Sequence, residues 1–237
     1  MSHPDFTEAE YRSLVELARD RYRFLSFADA SAASDGVLWR HDVDFSVHRA
    51  LALARIEADL GVHSTFFLHL HSDFYNALEP TVSRLIVQIA ALGHALGLHF
   101  DPGFAREAPD EALAHERALL ERLHERPIEA FSVHNPEYAN WADNRDEIAG
   151  MVNVYGDALR ERFVYCSDSN GLWRHRSARD VLEAGSDRVH VLTHPEWWVP
   201  EPMSPRERIS RCVEGRARGQ HHRYDELLAA AGRPNVS

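Results

Sequence analysis

Along the chain, short apolar runs that end in charged residues alternate with longer stretches of helical period. Residues 37–45 set the pattern: Val37, Leu38 and Trp39 run into His41, Asp42 and Asp44, as a buried parallel strand does where it surfaces at its C-terminal end. Further strands are predicted over 62–71, 94–101, 128–133, 151–155, 163–166 and 189–193. Between them the periodicity predicts helices over 47–60, 79–92, 109–126 and 178–184. Gly61 and Gly93 close the first two, and Pro109 and Pro127 bound the third. Thr7-Glu8-Ala9-Glu10 reads as a capping box opening a helix to about Phe24, with Tyr11, Leu14, Val15, Leu17, Ala18 and Tyr22 as its apolar stripe. Residues 28–36 read as a loop and 137–148 as a long functional loop. Two closing helices are predicted over 205–218 and 224–231.

Strands alternating with helices at this spacing imply parallel βαβ units, and seven of them favour a (β/α) barrel over an open sheet. The expected fold is therefore α/β: a distorted seven-stranded (β/α) barrel in one domain over 1–237, its core about 37–200, with an extra N-terminal helix and C-terminal helices. Such barrels carry their chemistry at the C-terminal mouth. The polar residues of this chain recur there: Asp42 and Asp44, His69 and His71, His99 and Asp101, His134, Asp168, and His194.

Composition narrows the function. A formal charge of −11 argues against nucleic acid or an anionic membrane as partner, and all 26 cations are arginine, which excludes lysine Schiff-base chemistry. Cys166 and Cys212 have neither the number nor the spacing of a disulfide framework or thiolate metal site. No run is long and apolar enough for a membrane span, and the N-terminus lacks an export pattern, so a cytoplasmic location is expected. The sequence carries no Gly-x-Ser-x-Gly elbow, phosphate loop or dinucleotide fingerprint.

What remains is imidazole and carboxylate at one mouth. Period 2 points Asp42 and Asp44 the same way, so their charges repel unless a cation joins them. A divalent metal answers this: it takes nitrogen and oxygen ligands and lowers the pKa of a water, while a second carboxylate takes a proton and a histidine protonates a leaving group. Asp42, Asp44 and His194 have the types required. The alternative at this stretch is a strand end whose Asp44 or Ser46 caps the next helix. His41, pointing away from Asp42, is expected to hydrogen-bond behind the site. His94 is read as structural and His221-His222 as solvated, while Trp197 and Trp198 suit either a core or a sugar-stacking platform.

The order His41-Asp42-Val43-Asp44, Ser64-Thr65-Phe66-Phe67, Gly93-His94-Ala95-Leu96-Gly97-Leu98-His99, Asp168 to Trp173, and Leu192-Thr193-His194 resembles the NodB-homology polysaccharide deacetylases, carbohydrate esterase family four, as a divergent branch with a His-Asp-Val-Asp motif. The resemblance implies a metal-dependent deacetylase, a hydrolase of acetyl amides or esters on carbohydrate or another small acetylated substrate. It implies Asp42 as base, His194 as acid, Asp44 and His99 as metal ligands, and Asp168 and Trp173 as the groups that orient the acid and wall the acetyl pocket. The ion would be Zn2+, with Co2+, Ni2+ or Mn2+ as alternatives. The chain departs from the family at Gly103, where a second metal histidine is expected, and at Ser132-Val133-His134-Asn135-Pro136, which replaces an arginine motif. His134 is therefore expected as third ligand, with Asp101 or His94 as substitutes, and Asn135 and Asp101 are expected near the substrate. Two other readings are an amidohydrolase-like enzyme using His69 and His71 as its metal pair, and an inactive barrel that binds a glycan or protein.

Overall fold

The structure is a computed structural model and describes residues 6–104, 107–135, 140–173 and 175–233. Residues 1–5, which carry part of the cytoplasmic expectation, and 136–139, of which 137–139 open the predicted functional loop, lie outside them. Eight strands form one sheet: β1 (Gly36–Val43), β2 (Thr65–His69), β3 (Ala95–Phe100), β4 (Ala130–Val133), β5 (Glu147–Ile148), β6 (Met151–Asn153), β7 (Val164–Ser167) and β8 (Arg188–Thr193). The helices are α1 (Glu8–Arg21), α2 (Val47–Asp59), α3 (Pro80–Ala91), α4 (Pro109–His124), α5 (Asp157–Arg162), α6 (Ala178–Glu183) and α7 (Pro205–Ala230). The strand order is β5-β6-β4-β3-β2-β1-β8-β7, parallel throughout except for β5 against β6.

Two expectations are corrected. The sheet is barrel-like, as expected, but a curled half-barrel with edges at β5 and β7, and among the described residues it has eight strands where seven were expected. The additional strand, β5, lies in the stretch predicted as a loop. It turns back through Ala149 and Gly150, both at positive φ (51° and 71°), the geometry of a two-residue type I′ hairpin. The two closing helices are one, α7, opened by a Ser204–Glu207 capping box with Pro205 in its first turn. Gly215 and Gly219 lower helix propensity, but neither takes the left-handed conformation that would end the helix.

Thr7 caps α1 by accepting from the Glu10 backbone N–H at 3.2 Å, but the Glu10 carboxylate pairs with Arg179 at 2.8 Å instead of returning to the cap. Ser46 caps α2, and Gly61 follows it at φ 72°. Among the described residues no helix is long and apolar enough to cross a membrane.

Alternation along β1 divides the core. Trp39 faces outward, packing with Tyr11 and Leu14 of α1, and Val43 faces α2 through Val47 and Ala50. Leu38 faces the concave side with Phe67 and Ala130, and above it Arg40 lies over the rings of Phe67 (5.6 Å) and Tyr155 (4.7 Å). Continuing this inward face brings Asp42 and Asp44 to the mouth, where both line a cavity of about 560 Å³.

Candidate metal centre and acid–base pair

Three strand ends meet at the mouth. Asp44 follows β1, His99 lies near the end of β3, and His134 follows β4, where its backbone N–H donates to Phe100 O at 2.8 Å. His99 Nε2 stands 3.0 Å from Asp44 Oδ1, His134 Nδ1 stands 3.7 Å from the same oxygen, and the two nitrogens are 3.2 Å apart. Among the described residues this is the group of three that could hold a metal ion.

The donor set fits such an ion. Ser132 Oγ donates to Asp42 Oδ1 at 3.2 Å, so it accepts from His99 Nδ1–H at 2.7 Å. His99 Nε2 then keeps its lone pair and turns it toward Asp44. Among the described residues Asp44 Oδ1 is buried without a conventional hydrogen bond. The three donor–donor separations bracket the ligand edge of about 3.4 Å that follows from zinc–ligand bonds of about 2.1 Å in a tetrahedron. Burial alone would raise the Asp44 carboxyl, yet when His99 is protonated its Nε2–H and charge hold that carboxyl well below the ordinary carboxylate range, a place that a metal ion takes when His99 is neutral. Burial, with His99 beside it, lowers His134 and favours the neutral imidazole that a metal requires.

Asp42 lies beside this group, 2% exposed. Its Oδ1 faces Arg40 Nη1 at 3.4 Å and accepts from Ser132. Burial works against the Arg40 charge, but Asp42 outweighs it and keeps the guanidinium protonated. On the other side of the cavity Asp168, fully buried, holds His194: Oδ1 accepts from His194 Nδ1 at 2.6 Å and from its backbone N–H at 3.0 Å, while Oδ2 accepts from Trp198 Nε1 at 2.8 Å. Burial disfavours a charged His194, yet the Asp168 carboxylate pushes its pKa up to about 10.

The remaining expected residues are distributed unequally. Asn135 reaches the cavity wall from a left-handed conformation (φ 50°), which asparagine tolerates. His41 stands behind the site, its two ring nitrogens each 2.8 Å from a partner, Glu57 Oε1 and Thr193 Oγ1. Asp101 folds back to accept from the Gly103 backbone at 2.8 Å, and His94 is fixed by Ala54 O and the Ser64 N–H, away from the mouth. Trp173 stacks on Phe6 at 5.8 Å and lies near Trp198, whereas Trp197 takes the place on the cavity wall. His69 packs against His99 and His134, and burial pulls it down to about 3. His71 faces elsewhere, toward Glu116 at 3.0 Å and stacked on Phe104, so the two do not form a metal pair.

Sequence reasoning missed Arg40, Ser132 and Glu196. Arg40 was readable, being two residues before Asp42 on the same inward face of an apolar strand. Glu196 lines the cavity fully buried, with both oxygens unpaired among the described residues. Burial and the neighbouring Asp44 raise its carboxyl well above the ordinary value. Nothing in its local sequence marks that position.

The chain is similar to solved family 4 carbohydrate esterases. No protein-family model and no curated protein matches it. A Bacillus anthracis CE4 family pseudoenzyme, in a mutant with restored enzymatic activity, is 14% identical, covering 78% of this chain and 63% of its own, with a TM-score of 0.40. The family 4 acetyl xylan esterase from Clostridium thermocellum, in complex with a cobalt ion, is 13% identical over 84% of this chain and 92% of its own (TM-score 0.38). The Streptococcus pyogenes deacetylase PplD, in complex with acetate, is 12% identical over 86% and 85% (TM-score 0.41). The chain thus spans less than two thirds of the pseudoenzyme it matches.

Proposed function

We propose that this chain is a metal-dependent hydrolase that removes acetyl groups from carbohydrate. The observation that carries this reading is the convergence of Asp44, His99 and His134 on one point, with Asp42 and His194 on the same cavity. The order of motifs along the chain supports it. Asp44, His99 and His134 would hold a divalent ion, zinc or cobalt by their nitrogen and oxygen chemistry. A bound ion supplies Lewis acidity toward the acetyl carbonyl and makes water a nucleophile near neutral pH.

The other steps belong to side chains. Asp42, fixed by Ser132 and faced by Arg40, accepts the proton of the attacking water. His194, held by Asp168 with Nε2 free for the cavity, donates a proton to the departing nitrogen or oxygen. Trp197 and Leu192 line the cavity as apolar wall for the acetyl methyl.

The test is elemental analysis joined to acetate release from an acetylated chito- or xylo-oligosaccharide. Wild type is expected to hold one ion per chain, and Asp44→Ala, His99→Ala and His134→Ala to lose it. Asp42→Asn and His194→Asn are expected to keep the metal and lose about 100-fold or more in rate. A wild-type protein that takes up no ion from excess zinc or cobalt overturns the reading.

A further inference from the structure

A second cavity, about 390 Å³, opens beside the catalytic one, and Phe45 lines both. Its walls are the first turn of α2, residues 74–82 and one face of α7. That face is bare, because Gly215 and Gly219 lie one turn apart and a Cβ at either would meet nothing within 4 Å. Around the opening stand Arg49, Arg211, Arg216 and Arg223, with Glu79 as the one carboxylate on the wall. The wall of this cleft thus carries more guanidinium groups than carboxylates, in a chain of formal charge −11.

The pairing of these arginines identifies the available charge. Arg49 is held by Glu8 at 2.7 Å and by Trp198 O, and Arg216 by Glu79 at 2.6 Å. Arg223 meets Glu226, outside the cleft, at 3.2 Å. Arg211 has no hydrogen bond or ion pair among the described residues. His48, also on the wall, is held toward its neutral form by burial and by Arg216, leaving it free to donate or accept one hydrogen bond. At the boundary with the catalytic cavity, Phe45 and Phe74 pack at 3.9 Å, an aromatic surface suited to the face of a sugar ring.

We infer that this cleft binds the anionic group, phosphate or carboxylate, of an acidic acetylated carbohydrate whose acetyl group reaches the catalytic cavity past Phe45. The inference rests on the hydrolase reading and deepens it by naming the substrate class. Arg211 takes the anion with charge-assisted hydrogen bonds, Arg216 adds the charge it shares with Glu79, and the bare helix face leaves it room.

The probes are N-acetylglucosamine 1-phosphate and neutral N-acetylglucosamine. Binding is measured by calorimetry on Asp42→Asn protein and acetate release on protein with Asp42 intact, in both cases with and without Arg211→Gln/Arg216→Gln. The phosphorylated sugar is expected to bind roughly tenfold tighter or more, the order of one charge-assisted hydrogen bond. The paired substitution abolishes that preference, while Arg211→Lys/Arg216→Lys restores part of it. Equal binding of the two sugars, or a preference that survives the paired substitution, overturns the inference whether or not acetate is released. A preference that depends on the arginines, with neither sugar deacetylated, upholds the anion site and overturns the hydrolase reading alone.

Discussion

A guanidinium that has lost all contact with water needs a negative charge, and Arg40 has Asp42 as its ionic partner. Among the described residues its nitrogens make no conventional hydrogen bond, so the ion pair and the faces of Phe67 and Tyr155 are its compensation. Breaking a buried pair on one side costs about 3–5 kcal/mol, because the surviving charge is stranded. Urea denaturation of Arg40→Met, Asp42→Asn and the double variant is therefore expected to be non-additive, with the double variant more stable than the sum of the single losses predicts by about 1 kcal/mol or more. Additive losses would mean that the two charges do not stabilise one another. At His194 the sign runs the other way with pH. Its folded pKa, about 10, lies above the ordinary 6.5, so its contribution to stability is complete below 6.5 and is lost as pH rises toward 10. In chelator-treated protein, wild-type stability is expected to fall across that window relative to Asp168→Asn, whose curve lacks this component. Parallel curves would remove Asp168 as the cause. Period 2 made the inward set of Asp42 and Asp44 legible and would have given Arg40 as well. Glu196 was illegible, since its burial comes from elements far away in sequence.

At the scale of elements, the strands were readable in place but not in extent. The stretch predicted over 62–71 pairs only from Thr65 to His69, because hydrogen-bonded neighbours set where a ladder stops. β3 illustrates a constraint that packing imposes on a single residue. Gly97 lies against Phe67 so closely that a Cβ would fall 2.5 Å from the ring carbons. Gly97→Ala is expected to cost about 1–3 kcal/mol by overpacking, and Phe67→Leu in the same chain to recover part of it. Thermal denaturation of the three variants checks this, and an unchanged Tm for Gly97→Ala would show that the ring moves freely. β5 was missed because Ala149-Gly150 is a weak turn signal, and only the pairing of Ile148 with Met151 makes the hairpin. α7 was divided between 218 and 224, whereas its backbone continues as helix through that stretch.

For the molecule as a whole, the proposed ligands come from the ends of three parallel strands, β1, β3 and β4, so an ion joining them would link distant parts of the chain. Binding to the folded state alone stabilises it by about 2.7 kcal/mol at a hundredfold excess over Kd, a rise in Tm of about 5–10 °C for a chain of this size. Zinc or cobalt is expected to produce that rise in wild type and not in His134→Ala, read by calorimetry. Equal shifts in both would place the ion elsewhere. The catalytic and arginine-lined cavities meet at Phe45, just beyond the end of β1.

The sequence by itself determined the alternation of strands and helices, the inward face of each strand and the gathering of imidazole and carboxylate at strand ends, because all of these are written in local periods of 2 and 3.6. Only the tertiary structure decided that His134, and not Asp101 or His94, stands beside His99, that Ser132 ties His99 to Asp42, and that the sheet stays open at β5 and β7. Those outcomes depend on register and curl, which set distances between residues about 30 to 90 apart in the chain, as in the Ser132–Asp42 bond, and no local period encodes them.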